Sequence, residues 1–168
     1  MSVEYRRAGL DDLDRLVCTR VEVLRAANEL EAGADMRAVE AESRRYYREA
    51  LASGRHTAYL ALDRGEVVGT GGISYYRVMP TWHNPSGEKA YIMNMYTRPD
   101  HRRTGVATGM LERLVADARA RGVTAIGLEA TRMGRPLYLK YGFVPAGSEM
   151  ELPEAPDPKA APGDSGEE

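Results

Sequence analysis

The sequence predicts an α/β fold, one domain built on a mixed sheet of about six strands with about four helices. Three observations predict it. Runs rich in β-branched, aromatic and Met side chains alternate with stretches whose apolar residues recur every three or four positions, in the order β-α-α-β-β-β-α-β-α-β. The clearest helical pattern follows directly on the strand-like run Ala90–Thr97: Val106, Met110, Leu114 and Ala118 repeat at i+4, with Ala107, Leu111 and Val115 beside them. A chain of 168 residues, 43% hydrophobic and 29% charged, suits one globular domain with a sizeable core.

In order, Ser2–Ala8 reads as a short strand. Gly9-Leu10-Asp11-Asp12 offers an N-cap, and Leu13, Leu16, Val17, Val21 and Leu24 form a helical stripe to Ala27. Cys18, the single cysteine, reads as part of that apolar face, and one cysteine excludes an intrachain disulfide. Asn28–Asp35 is a polar turn. Met36–Ser53 is a second helix with a sparse apolar face (Val39, Tyr46, Tyr47, Ala50, Leu51), ended by Gly54. Thr57–Leu62 and Glu66–Arg77 pair as a hairpin through Asp63-Arg64-Gly65. Gly69, Gly71 and Gly72 are unfavourable inside a strand and point to a bulge or a close backbone approach. Met79–Lys89 is a long loop with Trp82 and His83. After Ala90–Thr97 and the third helix, Gly105–Arg121, Val123–Ala130 is a fifth strand. Pro136 starts a two-turn helix that stops at Gly142, and Phe143–Leu152 is a last strand. The domain therefore spans 1–152. Residues 153–168 are rich in Pro, Ala, Gly and acids and are expected to be disordered.

Net charge is −2, and the tail holds five acidic residues against one lysine, so the body is mildly basic. Nothing suggests wholesale nucleic-acid binding, and no apolar run is long enough to span a membrane. With no signal peptide in view, the cytoplasm is the expected compartment.

The stretch Tyr96-Thr97-Arg98-Pro99-Asp100-His101-Arg102-Arg103-Thr104-Gly105-Val106-Ala107-Thr108 joins strand to helix with several arginines and no acid after Asp100. A helix N-terminus presents unpaired N–H groups and partial positive charge, and a glycine there lets a ligand come close, so this is a turn suited to phosphate. It is neither a P-loop nor a G-x-G-x-x-G turn. Arg102-x-x-Gly105-x-Ala107 instead resembles the acetyl-CoA-binding motif [Q/R]-x-x-G-x-[G/A] of the GCN5-related N-acetyltransferases. Leu137-Tyr138-x-x-Tyr141-Gly142-Phe143 resembles that family's second signature, A-x-x-[FL]-Y-x-x-x-G-F. The two motifs stand one α-β apart, and the resemblance covers Tyr5 to Leu152. Two positions depart from it: Thr131 stands where the family often has Asn, and Gly134 where it often has Ala.

The resemblance implies a mostly antiparallel sheet splayed between strands four and five, with acetyl-CoA as cosubstrate and no metal. It implies cofactor contacts at Met95, Tyr96, Thr97, Arg102, Arg103, Thr104, Gly105, Val106, Ala107, Thr108 and Thr131, with Arg98 a further candidate. Tyr138 is then placed beside the cofactor sulfur as general acid. Acetyl transfer to an amine also needs a neutral nucleophile, and Glu129 is the chosen base, with Glu88 and His83 as alternatives. Asn94, Trp82, His83 and Tyr75 are expected to bind the acceptor, and Glu22, Glu29 and Glu31 to favour a cationic one. The expected activity is acetylation of a small-molecule primary amine through a ternary complex. The alternatives are an acyl-CoA-binding module without turnover and a transferase for a peptide or protein N-terminus. A second copy of the chain, as a homodimer, is a candidate partner.

Overall fold

A computed structural model describes Ser2–Pro153; the tail expected to be disordered lies outside the described residues from 154 onward. Five strands form one sheet in the order β1-β2-β3-β4-β5, with β1 Glu4–Arg7, β2 His56–Asp63, β3 Glu66–Arg77, β4 Glu88–Thr97 and β5 Ala125–Leu128. Every pair is antiparallel except β4–β5, which is parallel. The helices are α1 Leu13–Ala27, α2 Arg37–Ser53, α3 Val106–Ala120 and α4 Arg135–Tyr141.

Alternation along β2 shows why the sheet needs two covers. Leu60 and Leu62 pack with Leu16, Val17 and Tyr47 of α1 and α2, whereas Ala61 packs with Met110, Leu111 and Leu114 of α3. Both faces of the central strands are therefore apolar. The β3 glycines serve this packing. A Cβ on Gly69 would lie 2.9 Å from Val106 Cγ1, one on Gly71 2.5 Å from Met110 Cγ, and one on Gly72 2.7 Å from His56 Nε2. The first two let α3 sit close on the sheet, and the third makes room for a buried imidazole on the opposite face. A bulge is present as well, since the β3–β4 register shifts between Thr70 and Gly72.

Three expectations change. The hairpin turn is two residues, not three: Arg64 (φ +52°) and Gly65 (φ +83°) are both left-handed and Asp63 pairs with Glu66, the primed turn that follows strand twist. Cys18 is exposed, not core. At about 100° per residue it stands about 200° around α1 from Leu16, which is buried. The resemblance to a six-stranded sheet ends at five. Phe143 packs on the α3-side core, but the chain after it pairs with no strand, and Val144, Met150 and Leu152 are exposed. Pro145 removes a ladder donor and Gly147 weakens strand preference, which accounts for the missing strand. Among the described residues, no helix is long and apolar enough to cross a membrane.

Candidate active site

β4 and β5 pair only from Lys89↔Ala125 to Ile92↔Leu128. β4 then runs five residues further while β5 stops, so the edge of Met93–Thr97 faces open space. The result is a cavity of about 680 Å³. Its β4 wall includes Asn94, Met95, Tyr96 and Thr97; the turn and the first residues of α3 add Arg102, Arg103, Gly105, Val106, Ala107 and Thr108. Glu129, Thr131 and Tyr138 line it on the β5–α4 side. Thr104, expected here, does not line it; its hydroxyl donates to the His101 carbonyl.

The turn is built from side-chain ties. Pro99–His101 is one turn of 3₁₀ helix, Asp100 pairs with Arg98 at 2.6 Å, and His101 Nε2 meets Asp63 Oδ2 at 3.1 Å, fixing the turn to the β2–β3 hairpin. The Asp100 and Asp63 carboxylates hold the His101 imidazole above its ordinary range. Arg98 is thus engaged with Asp100 and lies outside the cavity, contrary to its candidacy as a phosphate ligand. Arg102 is half-buried and donates from Nε to the Thr97 carbonyl at 3.1 Å. Gly105 is the N-cap of α3 with φ +90°, a Cβ there would meet nothing within 4 Å, and the first turn holds no acid. Open space, unpaired amides and a half-buried guanidinium fit a pyrophosphate.

At the other end, Tyr138 is 8% exposed, and burial alone pushes its hydroxyl above the ordinary range. Its ring packs edge-on to Phe143 at 6.0 Å. A Cβ on Gly134 would come within 3.1 Å of that ring and 3.2 Å of Thr131 Oγ1, and Thr131 Oγ1 accepts the Gly134 N–H at 3.1 Å. The two departures from the family pattern therefore touch each other and set the seat of Tyr138.

β4 bulges at Asn94, which has φ +57°. Its side chain points to the α1–α2 face, where Oδ1 accepts from Arg20 Nη1 at 3.1 Å and Nδ2 donates to the Tyr47 hydroxyl at 3.2 Å. Burial pushes Tyr47 up to about 12, so it stays protonated. His56, 4% exposed, lies beside it: Nδ1 meets the Tyr46 hydroxyl at 3.1 Å and Ser74 Oγ at 3.0 Å, and Nε2 is buried without a partner among the described residues. Burial first, then the Arg20 charge, push His56 down to about 4. Stability should respond. Between pH 6.5 and 4 the unfolded chain binds a proton that the folded His56 refuses, so stability falls as pH drops through that window, by up to ~3 kcal/mol. The raised His101 acts in the other direction and mainly above pH 6.5, where its contribution is lost as pH rises. Urea melts at pH 7 and 4.5 should show the drop, and His56→Gln should flatten it; an equal drop in the variant would assign it elsewhere.

Sequence reasoning did not single out Arg20, Tyr47 or His56. No local pattern marks them as site residues, because Arg20 and Tyr47 meet Asn94 across 74 and 47 positions and His56 meets Tyr46 and Ser74 across 10 and 18. Three expected acceptor residues lie elsewhere. Tyr75 is on the α3 face, its hydroxyl donating to Asp117 Oδ2 at 2.5 Å and its ring under Arg121. Trp82 is 91% exposed and His83 is exposed too, because the β3–β4 loop closes on itself through Val78 N–H to the Gly87 carbonyl and holds its tip outward. Glu22, Glu29 and Glu31 face solvent.

The model of the acetyltransferase (GNAT) family matches residues 24–143. A predicted acetyltransferase from Clostridium acetobutylicum, solved with acetyl-CoA, is 36% identical, with a TM-score of 0.83 over 90% of this chain and 96% of that one. A GCN5-related N-acetyltransferase from Ralstonia eutropha is 28% identical, with a TM-score of 0.78 over 90% and 98%. Glucosamine-6-phosphate N-acetyltransferase from Arabidopsis thaliana, 16% identical over 92% and 100% with a TM-score of 0.68, shares the fold. No curated protein matches the chain.

Proposed function

The chain belongs to the acetyltransferase (GNAT) family, and from that premise we propose that it transfers acetyl from acetyl-CoA to a primary amine of a small molecule by direct attack. The observation that carries this reading is the β4–β5 gap, with the Gly105 turn at one end and the Tyr138 hydroxyl at the other. Bound acetyl-CoA supplies an acetyl group activated as a thioester. The amides of Gly105 to Thr108 and the Arg102 guanidinium bind its pyrophosphate. The free β4 edge from Met93 to Thr97 offers main-chain groups to the pantetheine arm, and an N–H near Met95 polarises the reacting carbonyl. Tyr138 holds a proton on its hydroxyl at the cavity wall, and Glu129 accepts one from the acceptor ammonium, directly or through water. Release of free thiol from acetyl-CoA, measured across a panel of amines, tests the reading. Amine-dependent release supports it; coenzyme A binding with no release for any amine overturns it.

A further inference from the structure

Half-buried guanidinium groups in this chain are each given a counter-charge or several acceptors, with two exceptions. Arg6, Arg44 and Arg98 pair with Asp12, Asp14 and Asp100. Arg25 donates to three carbonyls, and Arg113 donates to a carbonyl while lying over the Tyr5 ring. The exceptions are Arg102 and Arg20, each with one neutral partner among the described residues. Arg102 sits where the polyanionic cosubstrate is expected. Arg20 does not line that cavity; it lies on the α1–α2 face and reaches it through Asn94, which does.

A guanidinium carries five N–H donors, and Asn94 Oδ1 uses one of Arg20's. No Asp or Glu among the described residues lies within salt-bridge distance of it, and none is placed at i±3 or i±4 on its helix. Its charge acts on Tyr47 and His56, and no carboxylate is among the causes acting on either. Tyr47 accepts from Asn94 Nδ2, which leaves its own hydroxyl proton without an acceptor among the described residues. So two donors, one cationic, flank Asn94, and among the described residues no carboxylate lies within salt-bridge distance of Arg20. A partly buried cation without a counter-ion is unfavourable, and a bound anion would relieve it.

We propose that Arg20 and Tyr47 form an anion-binding subsite for the acceptor, so that the amine acetylated by this protein carries a carboxylate or phosphate. This rests on the acetyltransferase reading. It replaces the expectation of a cationic acceptor drawn from Glu22, Glu29 and Glu31.

The test uses matched amines that differ in the anion: leucine against isoamylamine, and phosphoethanolamine against ethanolamine, with thiol release from acetyl-CoA as the readout. The expected result is a KM lower by about tenfold or more for the anionic member of at least one pair. Whichever pair responds separates carboxylate from phosphate. Arg20→Met should erase the preference with kcat and the KM for acetyl-CoA little changed, and Arg20→Lys should restore part of it. Equal KM within both pairs, or equal loss for anionic and neutral amines in Arg20→Met, overturns the subsite. A second measurement needs no turnover: calorimetry on the coenzyme A-bound protein with a panel of N-acetyl-α-amino acids, their amides, and N-acetylphosphoethanolamine. Anion-dependent binding lost in Arg20→Met supports the subsite even if no amine releases thiol, which would sink only the transferase reading. Binding indifferent to the anion, or absent throughout, overturns the subsite.

Discussion

Replacing Gly105 by Glu is expected to weaken coenzyme A binding by on the order of 100-fold or more. Two effects add. Gly105 holds φ +90°, a conformation that costs an L-residue roughly 1–2 kcal/mol. The new carboxylate would also stand at the mouth of α3, where the free amides point, and would compete in cis for the anion site while repelling the pyrophosphate. Gly105→Ala separates the two effects. A Cβ meets nothing within 4 Å there, so alanine brings backbone strain with no charge and should lose far less affinity. Calorimetric titration with coenzyme A measures both variants, and thermal melts show how much of each change is folding. Equal affinity in Gly105→Glu and the parent would mean that the pyrophosphate binds elsewhere.

That site was legible because its signals are local. A strand run, a glycine at an N-cap and an i+4 apolar stripe fall within some thirty residues, and periodicity reads them without tertiary knowledge. The β3 glycines were legible in part. Their residue type announced a close approach, but only the packing shows that Gly69 and Gly71 admit α3 whereas Gly72 admits His56 from the other face. The acceptor end was not legible. Asn94 was named from β4, yet what defines it is a hydrogen bond to Arg20 on α1 and another to Tyr47 on α2. Tyr75 misled for a related reason. Tyr75 shares the α3 face of β3 with Gly69, Gly71 and Ile73, but the strand pattern does not say which face meets the acceptor, and Tyr75 closes a cluster with Asp117, Thr57 and Arg121 on the α3 side. The apolar residues of Phe143–Leu152 favour a strand that Pro145 and Gly147 oppose, and the latter prevail.

Tyr138→Phe should lower turnover by about 100-fold and leave coenzyme A affinity within about twofold. The separation follows from what the hydroxyl does and does not touch. Its ring packs on Phe143 and fills the space above Gly134, contacts that phenylalanine keeps. The hydroxyl makes no hydrogen bond with a described residue, so removing it leaves no partner stranded, and stability should change by less than about 1 kcal/mol. What is lost is a proton held at the cavity wall. Burial raises the tyrosine above its ordinary range, so the hydroxyl stays protonated through neutral pH, and an acid role predicts no alkaline fall in rate from this group earlier than an ordinary tyrosine would give. The variant's rate, measured as thiol release at saturating acetyl-CoA from pH 6 to 10, should be low throughout. A parent-like rate would remove the acid role, and equal losses of rate and of coenzyme A affinity would reassign Tyr138 to holding the cosubstrate.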